Sequence, residues 1–334
     1  MSKETMQWLN ENIRVGFDIR PWWADEDSST HPNLYSGPLS RDMIRNELLG
    51  FVPDRESIFD AYGNEIEGYV RLTPSDETSQ TGKARSTLGI HTDGYQVHEY
   101  KELMTACALD VVSAGLLRER KQFWVQFGKG ENVSTPEGVD FMPYIMLSTS
   151  LDASQSTQAN DGVTLAVCDN TMQFARSEGK RFSIKHSKRS GTTWLADTQA
   201  AVSELMRIES ETAENIHTLA SVEVSEKQWA AFLDIWQPLP EERKTKGGGP
   251  GNGWTMANNK RDFMDDLYHN DFRVAPWKGT SLGVVQAANT YKNHNSIVRN
   301  AHRAERNLIQ AATGKFADHT ADTLSKLDKA MAMA

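Results

Sequence analysis

Hydrophobic and polar positions follow two different rhythms along this chain. Up to about residue 190, short apolar runs alternate with polar residues at period two and are cut by turn residues. Beyond it, apolar positions recur every three or four residues. In the first half, Ser40 is placed to cap a short helix that runs through Leu49 and stops at Gly50. Residues 58–72 read as a hairpin turning at Tyr62-Gly63-Asn64-Glu65. Residues 87–100 read as a second hairpin turning at His91-Thr92-Asp93-Gly94, because Asp-Gly between alternating residues favours a tight turn. Residues 102–117 have helical spacing in Leu103, Ala106, Leu109 and Val112. Strands are expected at 122–127, 144–150 and 163–168, the last preceded by a turn at Asn160-Asp161-Gly162. A short helix at 170–176 and a final strand at 181–186 follow.

In the second half, residues 194–220 form one long helical pattern with Leu195, Val202, Leu205, Ile216 and Leu219 on a single stripe. Ser225 with Gln228 makes a capping box for a helix through Trp236. Residues 237–253, with Pro238, Pro240 and a glycine-rich run, read as a loop or linker. Helices are expected at 258–269, 281–294, 299–313 and 316–331. The fold class is therefore α+β: an antiparallel sheet around one or two helices in residues 1–190, behind an irregular N-terminal segment, then a mainly helical region over 191–334.

Composition narrows the class. The 334 residues are 38% hydrophobic and 24% charged, a globular balance. No apolar run approaches the ~20 residues of a membrane helix, and the first residues lack a signal-peptide core. A cytoplasmic address, with no membrane partner, is expected. The two cysteines, Cys107 and Cys168, sit in apolar surroundings and read as inert buried thiols, not a disulfide framework.

The net charge of −9 argues against a simple nucleic-acid coat, but the charge is uneven. Between residues 176 and 189, Arg176, Lys180, Arg181, Lys185, Lys188 and Arg189 stand against Glu178 alone, with His186 beside them. A second basic stretch, 289–315, holds Lys292, Arg299, Arg303, Arg306 and Lys315 against Glu305.

Other candidate chemistry has a plain explanation. The glycine-rich run lacks Gly-Lys-Ser/Thr and a preceding strand, so it is no phosphate loop. His91, Asp93 and His98 are irregularly spaced, and His294 and His302 lie about two helical turns apart, too far for one metal. There is no Gly-x-Ser-x-Gly elbow. No catalytic residue, metal or cofactor is predicted. The basic stretch remains. Edge lysines that block aggregation explain one or two of its charges. Alternation would put Phe182, Ile184 and His186 on one strand face, with Ser183 and Lys185 on the other. Cations flanking a strand suit a phosphate backbone, and tryptophans such as Trp124 and Trp194 are candidates for base stacking.

Two groups of residues carry a family resemblance. Val167-Cys168-Asp169-Asn170-Thr171-Met172, with Ala175 and Ile184-Lys185-His186-Ser187, forms the first. The second comprises Trp277-Lys278-Gly279-Thr280, then Ala287 to Tyr291, His294 and the segment 303–314. Together they resemble the phage- and plasmid-related proteins grouped as domain of unknown function 932. More distantly, the pattern resembles phage single-strand annealing proteins of the Red-beta, Erf and RecT types. That resemblance implies a β-β-β-α core, here the strands at 122, 144 and 163 with the helix at 170. It also implies a ring or filament of subunits, and single-stranded DNA as partner. The expected contacts are Lys180, Arg181, Lys185, Lys188 and Arg189, then Arg176 and His186, with Asn170 and Thr171 as helix caps. Two rival readings stay open: a phage factor that binds a host protein, and a metal-dependent nuclease.

Overall fold

The computed structural model describes residues 11–18, 33–79, 84–131, 133–136, 138, 140–165, 171–172, 182–205, 209–240, 251–298 and 303–333. In chain order the first half contains β1 (Ile13–Val15), α1 (Arg41–Glu47), β2 (Pro53–Phe59), β3 (Glu65–Pro74), β4 (Gly89–Thr92) and α2 (Tyr100–Leu103). It continues with β5 (Asp110–Leu117), β6 (Gln122–Gly128), β7 (Val133–Ser134), β8 (Asp140–Ser150), β9 (Thr157–Leu165), β10 (Thr171–Met172) and β11 (Phe182–Ile184). The second half contains α3 (Trp194–Leu205), α4 (Glu209–Ser221), α5 (Glu226–Trp236), α6 (Asn252–Asn270), α7 (Ser281–Thr290), α8 (Arg303–Ala312) and α9 (Lys315–Met333). The expected α+β class is what the structure shows.

The main sheet is antiparallel in the order β1-β5-β6-β8-β9-β10. Strand β7 pairs with the start of β8, and β11 pairs with the start of β9, with Phe182 opposite Ala159 and Ile184 opposite Thr157. A separate three-stranded sheet has the order β2-β3-β4. Its hairpin turns where the Asp60 carboxylate accepts from the Tyr62 and Asn64 amides at 2.8 and 2.9 Å, and Gly63 takes a φ of 86°.

Alternation along the strands gives the main sheet two covered faces. Phe123, Val125 and Phe127 point to one side, where Ile145 and Leu147 meet Ile44 of α1, Leu103 of α2, and Trp194 and Ala201 of α3. Trp124 points to the other, with Tyr144 and Met146 against Leu308, Ala311, Ala312 and Phe316 of α8 and α9. Gly115 lies opposite Trp124 in the ladder. A methyl there would stand 2.9 Å from Ile13 and 3.0 Å from the indole, which explains the glycine. The helices pack among themselves around Trp229, Phe232, Met264 and Tyr268. The Ser225–Gln228 capping box is formed in full.

Several expectations are corrected. Residues 87–100 contribute one strand, β4, to the first hairpin instead of forming their own. Residues 102–117 are not a helix: only the four-residue α2 touches that span, and β5 follows. All but the first residue of β5 are buried, so its apolar run lacks the alternation of a half-exposed strand. Its Val111-Val112 pair favours the pleated form. The expected turn Asn160-Asp161-Gly162 lies within β9, opposite Met146, Ile145 and Tyr144. There the Asn160 amide donates to the Ala312 carbonyl at 2.7 Å, a tertiary partner that overrides local turn preference. Thr171 and Met172 belong to β10, paired with Thr164 and Val163, so Thr171 is not a helix cap. The long helix at 194–220 is described as α3 and α4. Helix α6 opens at Asn252, inside the stretch read as linker.

Candidate nucleic-acid interface

Of the predicted contacts, Arg176, Lys180 and Arg181 lie outside the described residues, as do Cys168 and Asn170. The structure brings Lys185, Lys188 and Arg189 together, all exposed, on the turn that leaves β11. The expected alternation holds along β11, because Phe182 and Ile184 pack against the sheet core while Ser183 and Lys185 face out.

The turn is tied by Ser190, whose hydroxyl donates to the Lys185 and Ser187 carbonyls at 2.5 and 2.8 Å and accepts the Ser187 amide at 3.1 Å. Among the described residues, none of the three cations has a carboxylate partner. The stem of Lys188 crosses Gly94, where an added methyl would stand 3.2 Å from its Cε. On the same loop, Arg55 donates to the Asp93 carbonyl at 3.1 Å and also to the Tyr95 carbonyl. Arg55 is therefore a fourth cation at this corner. Nothing local in the sequence marks it, since the β2–β4 sheet delivers it from far upstream.

His186 is different. Its ring stacks on Tyr95 with centroids 4.9 Å apart and on His98 at 4.1 Å. Tyr95 stacks in turn on His91 at 3.8 Å, and His98 on Trp194 at 4.5 Å. Five rings, His91, Tyr95, His186, His98 and Trp194, thus form one continuous pile beneath the cationic turn. Burial lowers the pKa of all three histidines, and takes His98 down to about 3 with help from His186.

With His186 held neutral by burial, hydrogen-bond geometry assigns the protons. His186 Nδ1 donates to the Gln96 carbonyl at 2.9 Å, which leaves Nε2 to accept from Thr149 Oγ1 at 3.2 Å. Thr149 accepts from Thr157 Oγ1 at 2.7 Å, and Thr157 accepts from His98 Nδ1 at 2.6 Å. His91 Nε2 donates to the Leu151 carbonyl at 2.6 Å. His186 is therefore a neutral, doubly engaged member of the stack and leaves the cationic group.

The two tryptophans offered as base platforms are corrected as well. Trp124 is 2% exposed and Trp194 5%, each committed to packing. Among the described residues the exposed aromatics are Phe59, Tyr62 and Tyr69 on the β2–β3 hairpin, with Phe263 and Phe272 in the second half.

The stack has no catalytic constellation. Ser190 Oγ lies 3.4 Å from His98 Nε2, but its proton is turned to two carbonyls. Among the described residues no carboxylate hydrogen-bonds either His98 or His186, as nucleophile activation requires. Nor do three His, Cys, Asp or Glu side chains gather there as metal ligands. No described helix is long and apolar enough to cross a membrane. What the arrangement does chemically is hold a turn rigid and keep its cations outward.

The distal motif is also structural. Gly279 takes a φ of 83° and passes its amide to the Tyr268 hydroxyl at 3.1 Å. Thr280 caps α7 by accepting the Gly283 amide at 3.2 Å, and Trp277 is buried.

Fold and site together define an α+β protein that displays cations from a pinned aromatic stack. The chain belongs to the family described as Domain of unknown function (DUF932), whose model matches residues 87–313. No curated protein and no solved structure matches it.

Proposed function

We propose that this is a phage-encoded, non-enzymatic protein that binds single-stranded DNA and, as a ring or filament of subunits, presents it for annealing in recombination. One observation carries the reading: Lys185, Lys188 and Arg189 stand exposed on a turn fixed from below by five stacked rings. Such cations meet a phosphate backbone without first paying to order a loop, and they read no sequence. Arg55 widens the patch, and Tyr69 lies next to Gly68, whose carbonyl accepts the Asp93 amide at 3.0 Å. Tyr69 is thus the base-stacking residue in this reading, in place of Trp124 and Trp194. The phage setting and the annealing role rest on the motif resemblance. The adjacent antiparallel strands β6, β8 and β9 support them, with α3 packed on that sheet where a helix at 170 was expected.

The test is a gel-shift titration with a single-stranded oligonucleotide across a salt series. Wild type binds at low salt and loses affinity as salt rises, and Lys185→Glu with Lys188→Glu and Arg189→Glu weakens binding at least tenfold. Binding that the triple variant leaves unchanged refutes the reading.

A second reading, docking on a host protein, is favoured by the exposed Phe59, Ile66 and Ile90 beside Tyr62 and Tyr69. A specific partner retained from host lysate by wild type and lost with Phe59→Ser and Tyr62→Ser, alongside no DNA binding, would select it.

A further inference from the structure

The second basic stretch is not absorbed by the turn just described. It folds around the end of α7, where Tyr291–Asn295 makes a π-helical turn, a feature often found at functional sites. Arg303 donates to the Ser296 carbonyl at 3.0 Å. Arg306 donates to the Lys292 carbonyl at 2.6 Å, the Ser296 hydroxyl at 2.6 Å and the Asn307 side chain at 2.7 Å. Asn307 donates to the Asn293 carbonyl at 3.0 Å. Arginines that gather the last carbonyls of a helix are ordinary capping. Capping accounts for the two guanidiniums, but not for the rest of the cluster.

Three facts are left over. The ammonium of Lys292 has no acceptor among the described residues, though the residue is half-buried and its field is shared with Arg306 and Lys315. Among the described residues, no carboxylate pairs with Lys292, Arg303 or Arg306. The side chains of Asn289 and Asn293, 2% and 3% exposed and four residues apart along α7 and its π turn, leave both Nδ2 groups and the Asn293 Oδ1 without a partner. Burial lowers the pKa of Lys292 and Arg303 and takes Arg306 to about 10, with neighbouring cations adding to the shift of Lys292 and Arg306. Buried cations and orphaned donors are costly unless something accepts from them.

We propose that Lys292, Arg303, Arg306 and Lys315, with the side-chain amides of Asn289 and Asn293, form a second site that binds the oxyanion of a phosphate ester. The chemistry selects phosphate because the unmet groups are mostly donors and the local charge is several units positive. A phosphoryl group brings up to three acceptor oxygens and up to two negative charges. The orphaned Asn293 Oδ1 asks for one donor in return, which a protonated phosphate or a sugar hydroxyl supplies. Lys315, exposed at the start of α9, marks the open side. The phosphoryl group belongs either to a free phosphate or nucleotide, or to the backbone of a nucleic acid.

Thermal unfolding of the full chain tests this, with sodium phosphate or a short oligonucleotide compared against sodium chloride at equal ionic strength. A ligand at about ten times its Kd raises the midpoint by about 2–4 °C. Lys292→Met with Lys315→Met abolishes the rise with phosphate and lowers the rise with oligonucleotide, while Lys185→Glu with Lys188→Glu, on the first turn, leaves the phosphate rise unchanged. A rise with inorganic phosphate assigns the site to free phosphoryl groups. A rise with oligonucleotide alone that the Lys292/Lys315 variant lowers, and that persists in part in the Lys185/Lys188 variant, assigns it to the backbone. No phosphate-specific rise with either probe, or a full rise in the Lys292/Lys315 variant, overturns the proposal. The phosphate arm does not bear on the cations of the first turn, and the part of the oligonucleotide rise that the Lys185/Lys188 variant removes belongs to them.

Discussion

The imidazoles of His98 and His186 touch twice. They stack face to face at 4.1 Å, and Thr157 and Thr149 join their edges into one line of hydrogen bonds. With His186 neutral, the line runs in one direction, from His98 Nδ1 toward His186 Nε2, because the Gln96 carbonyl at its far end can only accept. Burial keeps both rings neutral in the fold.

Stability should fall as the medium turns acidic. A free histidine in the unfolded chain takes up its proton near pH ~6.5. Folded His98 resists until about 3 and His294 until about 4, and His91, His186 and His319 are shifted the same way. Below pH ~6.5 the unfolded chain thus binds more protons, and unfolding gains up to ~1.4 kcal/mol per pH unit for each such group. The stabilisation is complete above that value and erodes on the way down to the folded pKa. Urea melts at pH 7.5 and 5.5 should differ by a few kcal/mol, and coincident melts would show that the stack is not neutral.

Thr157 should be the sensitive link in the line. Thr157→Val keeps the shape but leaves His98 Nδ1 without an acceptor and removes the donor to Thr149, at a cost of about 2 kcal/mol. Thr157→Ser keeps the hydroxyl and should recover most of that loss. Equal stability of the Val and Ser variants in denaturant melts would remove Thr157 from the network.

Two glycines should respond in opposite senses. A methyl on Gly283 would collide with the Trp277 carbonyl, which is backbone and cannot swing away, so Gly283→Ala should cost about 2 kcal/mol or more. Gly253, in the first turn of α6, has open space around it, and Gly253→Ala should raise stability by ~0.5 kcal/mol through helix propensity. Thermal melts of the two variants separate the effects.

For the nucleic-acid reading, the salt dependence is more telling than affinity. Each phosphate contact on a single strand adds about 0.7 to the slope of log K against log salt. Neutralising Lys185, Lys188 and Arg189 should therefore lower the slope by about 2. A lower affinity with an unchanged slope would point to misfolding, not to lost contacts.

What the sequence showed and what it hid follow from the range of the forces involved. Caps and turns depend on neighbours, so Ser40, Ser225 with Gln228, and the turn at Asp60–Asn64 were legible or nearly so. Central strand β5 was not, because burial on both faces erases the period-two pattern. Asn160 carries a turn signal locally and is held in a strand by a carbonyl 152 positions later. The exposed cations Lys185, Lys188 and Arg189 could be picked out by charge alone. The role of His186 could not, because its stacking partners Tyr95 and His98 come from about 90 positions upstream, and the pile continues from His98 onto Trp194 of α3. Arg55 was missed for the same reason.

The Ala312 carbonyl accepts from both Ser148 and Asn160, and α8 with its neighbours covers the Trp124 face of the sheet. A ribosome adding about 5–20 residues per second needs roughly 8–30 s to make the stretch between Asn160 and Ala312. Throughout that interval the nascent sheet carries Trp124, Tyr144 and Met146 without the cover of α8 and α9. Synthesis itself thus sets a window in which this protein depends on holding factors, and a message cut short before α8 leaves a sticky product.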